Sequence, residues 1–340
     1  ILGLLGGYIV GHNILPKPLP EKLRNSPSPA YNLMSVLGQQ PTYYRQTASG
    51  NYLAGKFAQN NKDWDKAYSY INRVLKKEDG NIDLEKHAMV LAMASGDIKR
   101  ATDLAEDIIL KDENNLLAVL FLSLKNFDQK NYQTVIDTLD RLEQETVTAF
   151  LVPVLKIWAQ AGLGEVTTED LPNSSFYAYH ALLIHYSLKQ NPALVDYALQ
   201  AYDLQNTDLR DIEKYADLLA LIDQKEKAKS LYQIISKSGF SHEKLEQKIT
   251  ALKEGKEIDT FTDLPRIMTP KEGAAKVFND MANILLREQS DDSAAIFAQM
   301  SLYLDPKLES NYIILASILS RHERYDDAIE TLQNIKPSSS

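Results

Sequence analysis

The stretch Gly96–Ile109, "GDIKRATDLAEDII", reads as a turn followed by one amphipathic helix. Gly-Asp breaks the chain, and apolar residues then recur at three- and four-residue steps. The same shape stands upstream in "KDWDKAYSYINRVL" and downstream in "KNYQTVIDTLDRLE". Aligned, their small or β-branched anchors are Ala67, Ala101 and Val135, and both intervals (101 − 67 and 135 − 101) are 34 residues. Near the C-terminus "SDDSAAIFAQMSLYLDP" and "ERYDDAIETLQNIKP" repeat it, with 328 − 294 = 34 between Ala294 and Ala328. In the middle, Val195 and Ala228 stand 228 − 195 = 33 apart. A helical pattern held at one period marks an internal repeat.

Each unit has a physical logic. A first helix presents small residues where a neighbour must approach closely: Gly55 and Ala58, Ala88 and Ala92, later Ala282 and Ala316. The second helix sets its own small residue into that notch and a large one a turn later, as with Ala67 and Ile71. One pair cannot bury its apolar face alone, so stacked neighbours must supply the core. β-branched alternation of the strand kind is scarce, and the expected fold is all-α.

These residues resemble the tetratricopeptide repeat family, whose unit is a 34-residue helix–turn–helix. The resemblance is carried by Ala294, Ala298, Ser301 and Asp305-Pro306, then by Tyr312, Leu315, Ala316, Leu319, Tyr325, Ala328 and Leu332. It runs from near Ser49 to the C-terminus, with a degenerate middle at "WAQAGLGEVTTEDLPNSS", where Gly162, Gly164 and Pro172 shorten or break the second helix. "SGNYLAGKFAQNNKDWDKA" and "EGAAKVFNDMANILL" are similar to exported bacterial members. The resemblance implies a right-handed α-solenoid of antiparallel helix pairs (a superhelix) with protein or peptide partners in a concave groove lined by first helices. The lining expected here is Tyr52, Leu117, Leu120, Leu124, Phe127, Val152, Tyr177 and Ile184. An apolar lining on a surface otherwise wetted marks a contact site; the alternative is that the N-terminal segment or the loop near Phe261 covers it. Chaperone-binding members hold a C-terminal carboxylate with Lys and Asn at fixed places. Tyr52, Lys56, His87 and Val90 occupy those places here, so that clamp is absent.

Flanking sequence divides the chain. Residues 1–15, "ILGLLGGYIVGHNIL", carry no formal charge and are too short to span a bilayer alone. Their glycines disfavour a soluble helix, and the run suits the remnant of a signal or membrane anchor in a chain that begins inside a longer or processed product. A proline-rich linker fills 16–46, a repeat array 47–254, a second linker 255–269 and a C-terminal repeat pair 270–340. Thr269, Pro270 and Glu272 form a capping box that restarts the helix. The tail ends after a second helix with no polar capping helix, an end expected to continue or to be covered by a partner.

Composition excludes much chemistry. With 37 basic against 46 acidic residues the net charge is −9, which repels phosphate backbones and argues against nucleic-acid binding. Cysteine is absent, removing disulfides, thiolate metal sites and cysteine nucleophiles. His322-Glu323 lacks a second histidine at Asp326, and His180 and His185 sit off one helical face among tyrosines, as in an aromatic packing layer. The pairs Asp291-Asp292 and Asp326-Asp327 fall at helix starts, where the dipole favours negative charge. No catalytic, cofactor or metal residues are assigned. The reading is a non-enzymatic interaction scaffold of the bacterial cell envelope, periplasmic or anchored in the inner membrane, with membrane association through the N-terminal segment. Alternatives are a cytoplasmic adaptor, or the recognition part of an envelope enzyme whose catalytic domain lies elsewhere.

Overall fold

The computed structural model describes residues 47–335 except 79, 143–147, 170, 190, 259–260 and 262–263. Residues 1–15, and the proline-rich stretch as far as Gln46, lie outside the described residues. The described chain is all-α, with sixteen helices: α1 Ala48–Asn60, α2 Trp64–Leu75, α3 Ile82–Ala94, α4 Ile98–Ile109, α5 Leu116–Asp128, α6 Tyr132–Leu139, α7 Thr148–Leu163 and α8 Ser175–Leu188. Then follow α9 Ala193–Ala201, α10 Leu209–Leu221, α11 Lys225–Lys237, α12 Glu243–Lys253, α13 Pro270–Arg287, α14 Asp291–Leu304, α15 Glu309–Arg321 and α16 Tyr325–Gln333. Consecutive helices pack as pairs, α1 on α2, α3 on α4, α8 on α9, α10 on α11 and α15 on α16, the connectivity of a tetratricopeptide-like α-solenoid. Among the described residues no helix is long and apolar enough to cross a membrane.

The turn inside each pair recurs with the period of the sequence. Lys62, Gly96, Lys130 and Gly164 have positive φ at successive 34-residue steps, as do Lys189 and Asp223 and then Gln289 and Glu323. After each of these except Lys189 the next amide reaches back five residues, as in Asp63 N–H to Ala58 O (2.9 Å) and Asp97 N–H to Ala92 O (2.9 Å). That left-handed Schellman closure satisfies the carbonyls at a helix end and reverses the chain. Asp63 and Asp97 then cap the second helix, accepting from Lys66 N–H and Arg100 N–H. Gly164 keeps the turn, but the chain runs on without a helix to Ser175, so the degenerate fourth unit lost its second helix and not its turn.

The notches form as the sequence implies. A Cβ on Gly55 would lie 2.9 Å from Ile71 Cδ1, so only glycine admits that side chain. Ala67, Ala101, Val135 and Ala294 are fully buried, and Ala328 nearly so. Val195, by contrast, is half-buried; α9 turns Leu194, Ala198 and Ala201 inward, matching Ala228, Tyr232 and Ile235 of α11. Counted from Leu194 the interval is 228 − 194 = 34, so the apparent 33 was an anchor misplaced by one residue.

The chain divides into two compact units, neither continuous in sequence. The first holds the described residues up to Lys125, Thr138–Thr148 and those from Ala275 on; the second holds Asn126–Asp137 and Ala149–Ala274. This differs from the expected array over 47–254 followed by a separate terminal pair, because the C-terminal helices share a unit with the N-terminal ones. The segment 255–269 is more than a linker. Ile258 and Met268 are buried, Met268 N–H donates to Ser187 Oγ of α8 (3.1 Å), and Lys225 of α11 binds Glu257 (2.5 Å). The capping box is present, with Thr269 N–H to Glu272 Oε2 at 2.9 Å and Glu272 N–H to Thr269 Oγ1 at 3.3 Å.

Candidate functional site

In the first unit the surface expected to receive a partner is filled by the chain itself. Helix α14 packs against α3, and both are buried over nearly their whole circumference. A helix apolar all round belongs inside a protein. Gln299 of α14 lies against Gly96 in the α3–α4 turn. At its start, Asp292 accepts from Lys62 Nζ (2.9 Å), Trp64 Nε1 (3.1 Å) and Gln59 Nε2 (3.3 Å), all of the first helix pair. Arg324 adds a hydrogen bond to Lys62 O. A linear solenoid would let each repeat touch only its neighbours, whereas here the first and the penultimate pairs are fastened together.

The positions of the missing carboxylate clamp belong to this fastening. Gln59 Oε1 accepts from Lys56 Nζ (3.0 Å) and faces His87 Nε2 (3.0 Å). Burial, and then the Lys56 ammonium, push His87 down to about 3, so its ring is neutral and Nε2–H is the donor. Burial also lowers Lys56. Val90 is buried. Gln59 thus takes up hydrogen bonds from both Lys56 and His87.

The groove residues fare accordingly. Leu117, Leu120, Leu124, Phe127, Tyr177 and Ile184 are all buried, and Tyr177 donates its hydroxyl to Phe150 O (2.8 Å). Tyr52 and Val152 are half-buried. The six are buried, which corrects their expected place as solvent-facing groove residues. Uncovered apolar side chains stand elsewhere in this unit. On α1, Leu53 and Phe57 are 63% and 72% exposed, one turn apart on a single face. On α16, Tyr325, Ile329 and Leu332 form a second stripe, 59%, 56% and 42% exposed. On the sequence Tyr325 and Leu332 stand among the repeat positions, and Ile329 offers no signal beyond its helical spacing from them.

The second unit holds the strongest buried charge cluster. Lys248 of α12, fully buried, contacts Asp217 Oδ2 (3.0 Å) and Glu213 Oε1 (3.2 Å) of α10. Tyr232 O–H donates to Asp217 Oδ1 (2.5 Å), and His242 Nε2 meets Glu213 Oε2 (2.8 Å). Burial holds the Asp217 carboxyl above the usual range despite the ammonium beside it. With every member engaged, the cluster ties α10, α11 and α12 together as a structural network. His180 is likewise packing: Trp158 Nε1–H donates to its Nδ1 (3.1 Å), and Trp158, Phe176 and Tyr179 meet its ring edge-on. Among the described residues no three His, Cys, Asp or Glu side chains gather as a metal site would require.

No protein-family model matches the chain, and no curated protein matches it. Among solved structures, the crystal structure of yeast Tom70 is similar over 85% of this chain and 69% of that one, at 15% identity and a TM-score of 0.29. The fold assignment rests on the helix pairs and their recurring turns, not on that likeness.

Proposed function

We propose that this protein is a non-enzymatic scaffold that binds other proteins through the uncovered outer faces of its helix pairs. The supporting observation is the contrast within the first unit. The first helices that a partner would ordinarily meet are core, while α1 and α16 present large apolar side chains at helical spacing to solvent. Scattered exposed leucines need no explanation, but stripes of this kind mark contact sites. The test is site-specific photocrosslinking in living cells, with the reactive group at Phe57, at Ile329 and, as control, at exposed polar Glu226. Protein adducts concentrated at Phe57 and Ile329 support the reading; adducts no more frequent there than at Glu226 would remove it.

The location proposed is the bacterial cell envelope, as an exported or anchored protein. Its support is the composition of residues 1–15, an uncharged apolar run with four glycines at 3, 6, 7 and 11, followed by a proline-rich stretch. Fractionation of the full-length protein tests it: membrane or periplasmic recovery is expected, and a wholly cytosolic signal is the contrary result.

A further inference from the structure

We propose that His242 is a proton-operated cap on α12, closing the helix start when its ring is neutral and releasing it when the ring takes up a proton. The inference concerns the second unit and stands apart from the scaffold reading. Both ring nitrogens are engaged. Nδ1 accepts from Leu245 N–H (3.2 Å), the bond that caps the first turn, and Nε2 lies 2.8 Å from Glu213 Oε2 of α10. An N–H is received only by a nitrogen with a free lone pair, and a carboxylate oxygen only accepts. The two contacts together require the neutral ring with its hydrogen on Nε2. A further proton has only Nδ1 to go to, where it faces the Leu245 N–H. The cap is then lost, while the Nε2–H bond to Glu213 remains.

The surroundings let this happen without parting the helices. On α12, Glu243 follows the ring in sequence and Glu246 accepts from Ser241 Oγ (2.7 Å). Behind Glu213 stands Lys248 (3.2 Å), which also holds Asp217, itself the acceptor for Tyr232 of α11. The Phe240 ring meets the imidazole edge-on, with centroids 5.7 Å apart. The acids attract a proton to the ring, and the Lys248 ammonium and the positive end of the α12 dipole oppose it. Because the capped turn excludes the proton, falling pH favours the open turn. The side chain is 38% exposed, so solvent protons reach it directly. His87, buried and pushed down to about 3, does not respond in this way. The other side-chain caps described, Thr47, Asp63, Asn81, Asp97 and Asp208, retain an acceptor oxygen whatever their protonation. Acidification therefore loosens residues 243–246 and leaves those helix starts closed.

Nitrogen-15 NMR of the full chain tests this between about pH 8 and about pH 5.5, where an ordinary imidazole changes charge. At the higher pH the imidazole spectrum should show His242 as the Nε2–H tautomer. On acidification the Leu245 amide should lose about fivefold or more of its protection against hydrogen exchange, relative to the intrinsic rate, as for loss of an N-cap. The Lys66 amide, capped by Asp63, should keep its protection. His242→Asn supplies a cap oxygen that does not titrate and should keep Leu245 protected throughout. An Nδ1–H tautomer at the higher pH, protection of Leu245 that does not vary with pH, or an equal loss in His242→Asn overturns the proposal. An equal loss at Lys66 would mark general loosening in acid and overturn it as well. Should His242→Asn fail to fold, the tautomer and the Leu245 protection of the unaltered chain decide the matter.

Discussion

Removing the Lys248 ammonium should unfold the second unit far more readily than its single positive charge suggests. Lys248→Met keeps most of the aliphatic stem and deletes the charge that both Asp217 and Glu213 contact at 3.0 and 3.2 Å. Both carboxylates are buried; Lys214 of α10 pairs with Asp211 instead (2.8 Å), and the other contact of Glu213 is His242 (2.8 Å). Breaking a buried pair from one side costs about 3–5 kcal/mol, because the remaining charge is left without its partner or its water. The sign of the pH dependence follows from Asp217. Burial already raises its carboxyl, and without Lys248 the rise is larger. The native state then binds more protons than the unfolded chain at pH values between the ordinary carboxyl range, about 3.9, and the raised one. Stability of the variant therefore falls as pH rises through that window, and its deficit is greatest at neutral pH and shrinks toward about pH 5. Adding Asp217→Asn, which still accepts from Tyr232, should recover part of the loss. The chain has two tryptophans, Trp64 and Trp158, one in each unit. Urea unfolding of a Trp64→Phe background, followed at Trp158, isolates the unit in question. A loss below about 1 kcal/mol, or a deficit that does not vary with pH, would refute the network as a paired, desolvated cluster.

Three further expectations follow from packing. Asp292→Ala strips Lys62, Trp64 and Gln59 of their common acceptor and should destabilise the first unit by about 1–3 kcal/mol, read at Trp64 in urea; no change would mean the first and penultimate pairs are not fastened there. Gly273→Ala would gain about 1 kcal/mol from helix propensity alone, but its Cβ would fall within the Trp158 ring, so a net loss in melting temperature is expected and a net gain would contradict the close approach. Glu323→Gly relieves a left-handed residue on an exposed turn and should be neutral to stabilising by up to about 1 kcal/mol, with a clear loss in thermal denaturation as the contrary result.

The helices, their pairing and the 34-residue turn were legible because they are local. Gly96-Asp97 and Lys130-Asn131 break helices 34 residues apart and contain the left-handed residues Gly96 and Lys130, while Asn60-Asn61 stands just before the left-handed Lys62. The Thr269–Glu272 box was equally local. What escaped is what joins distant segments. Asp292 looked like a helix-start carboxylate, and nothing in its neighbourhood announces Lys62 or Trp64, more than two hundred positions upstream. The groove failed for a related reason. Leu117, Leu120, Leu124 and Phe127 were assigned to an open side by analogy with a linear repeat, although α5 carries apolar residues around most of its circumference. That pattern is the mark of a helix covered on every side.

Native-state thiol labelling tests most directly which faces the protein offers, since the chain has no cysteine of its own. Single cysteines at Leu120 and Val90, buried first-helix positions, and at Phe57 and Ile329, on the outer stripes, are compared with the same variants in denaturant. The account predicts that Phe57→Cys and Ile329→Cys react almost as fast folded as unfolded, while Leu120→Cys and Val90→Cys are protected by orders of magnitude. Rapid labelling of Leu120→Cys in a folded chain, at a rate near that of Ile329→Cys, would contradict it and restore the open groove.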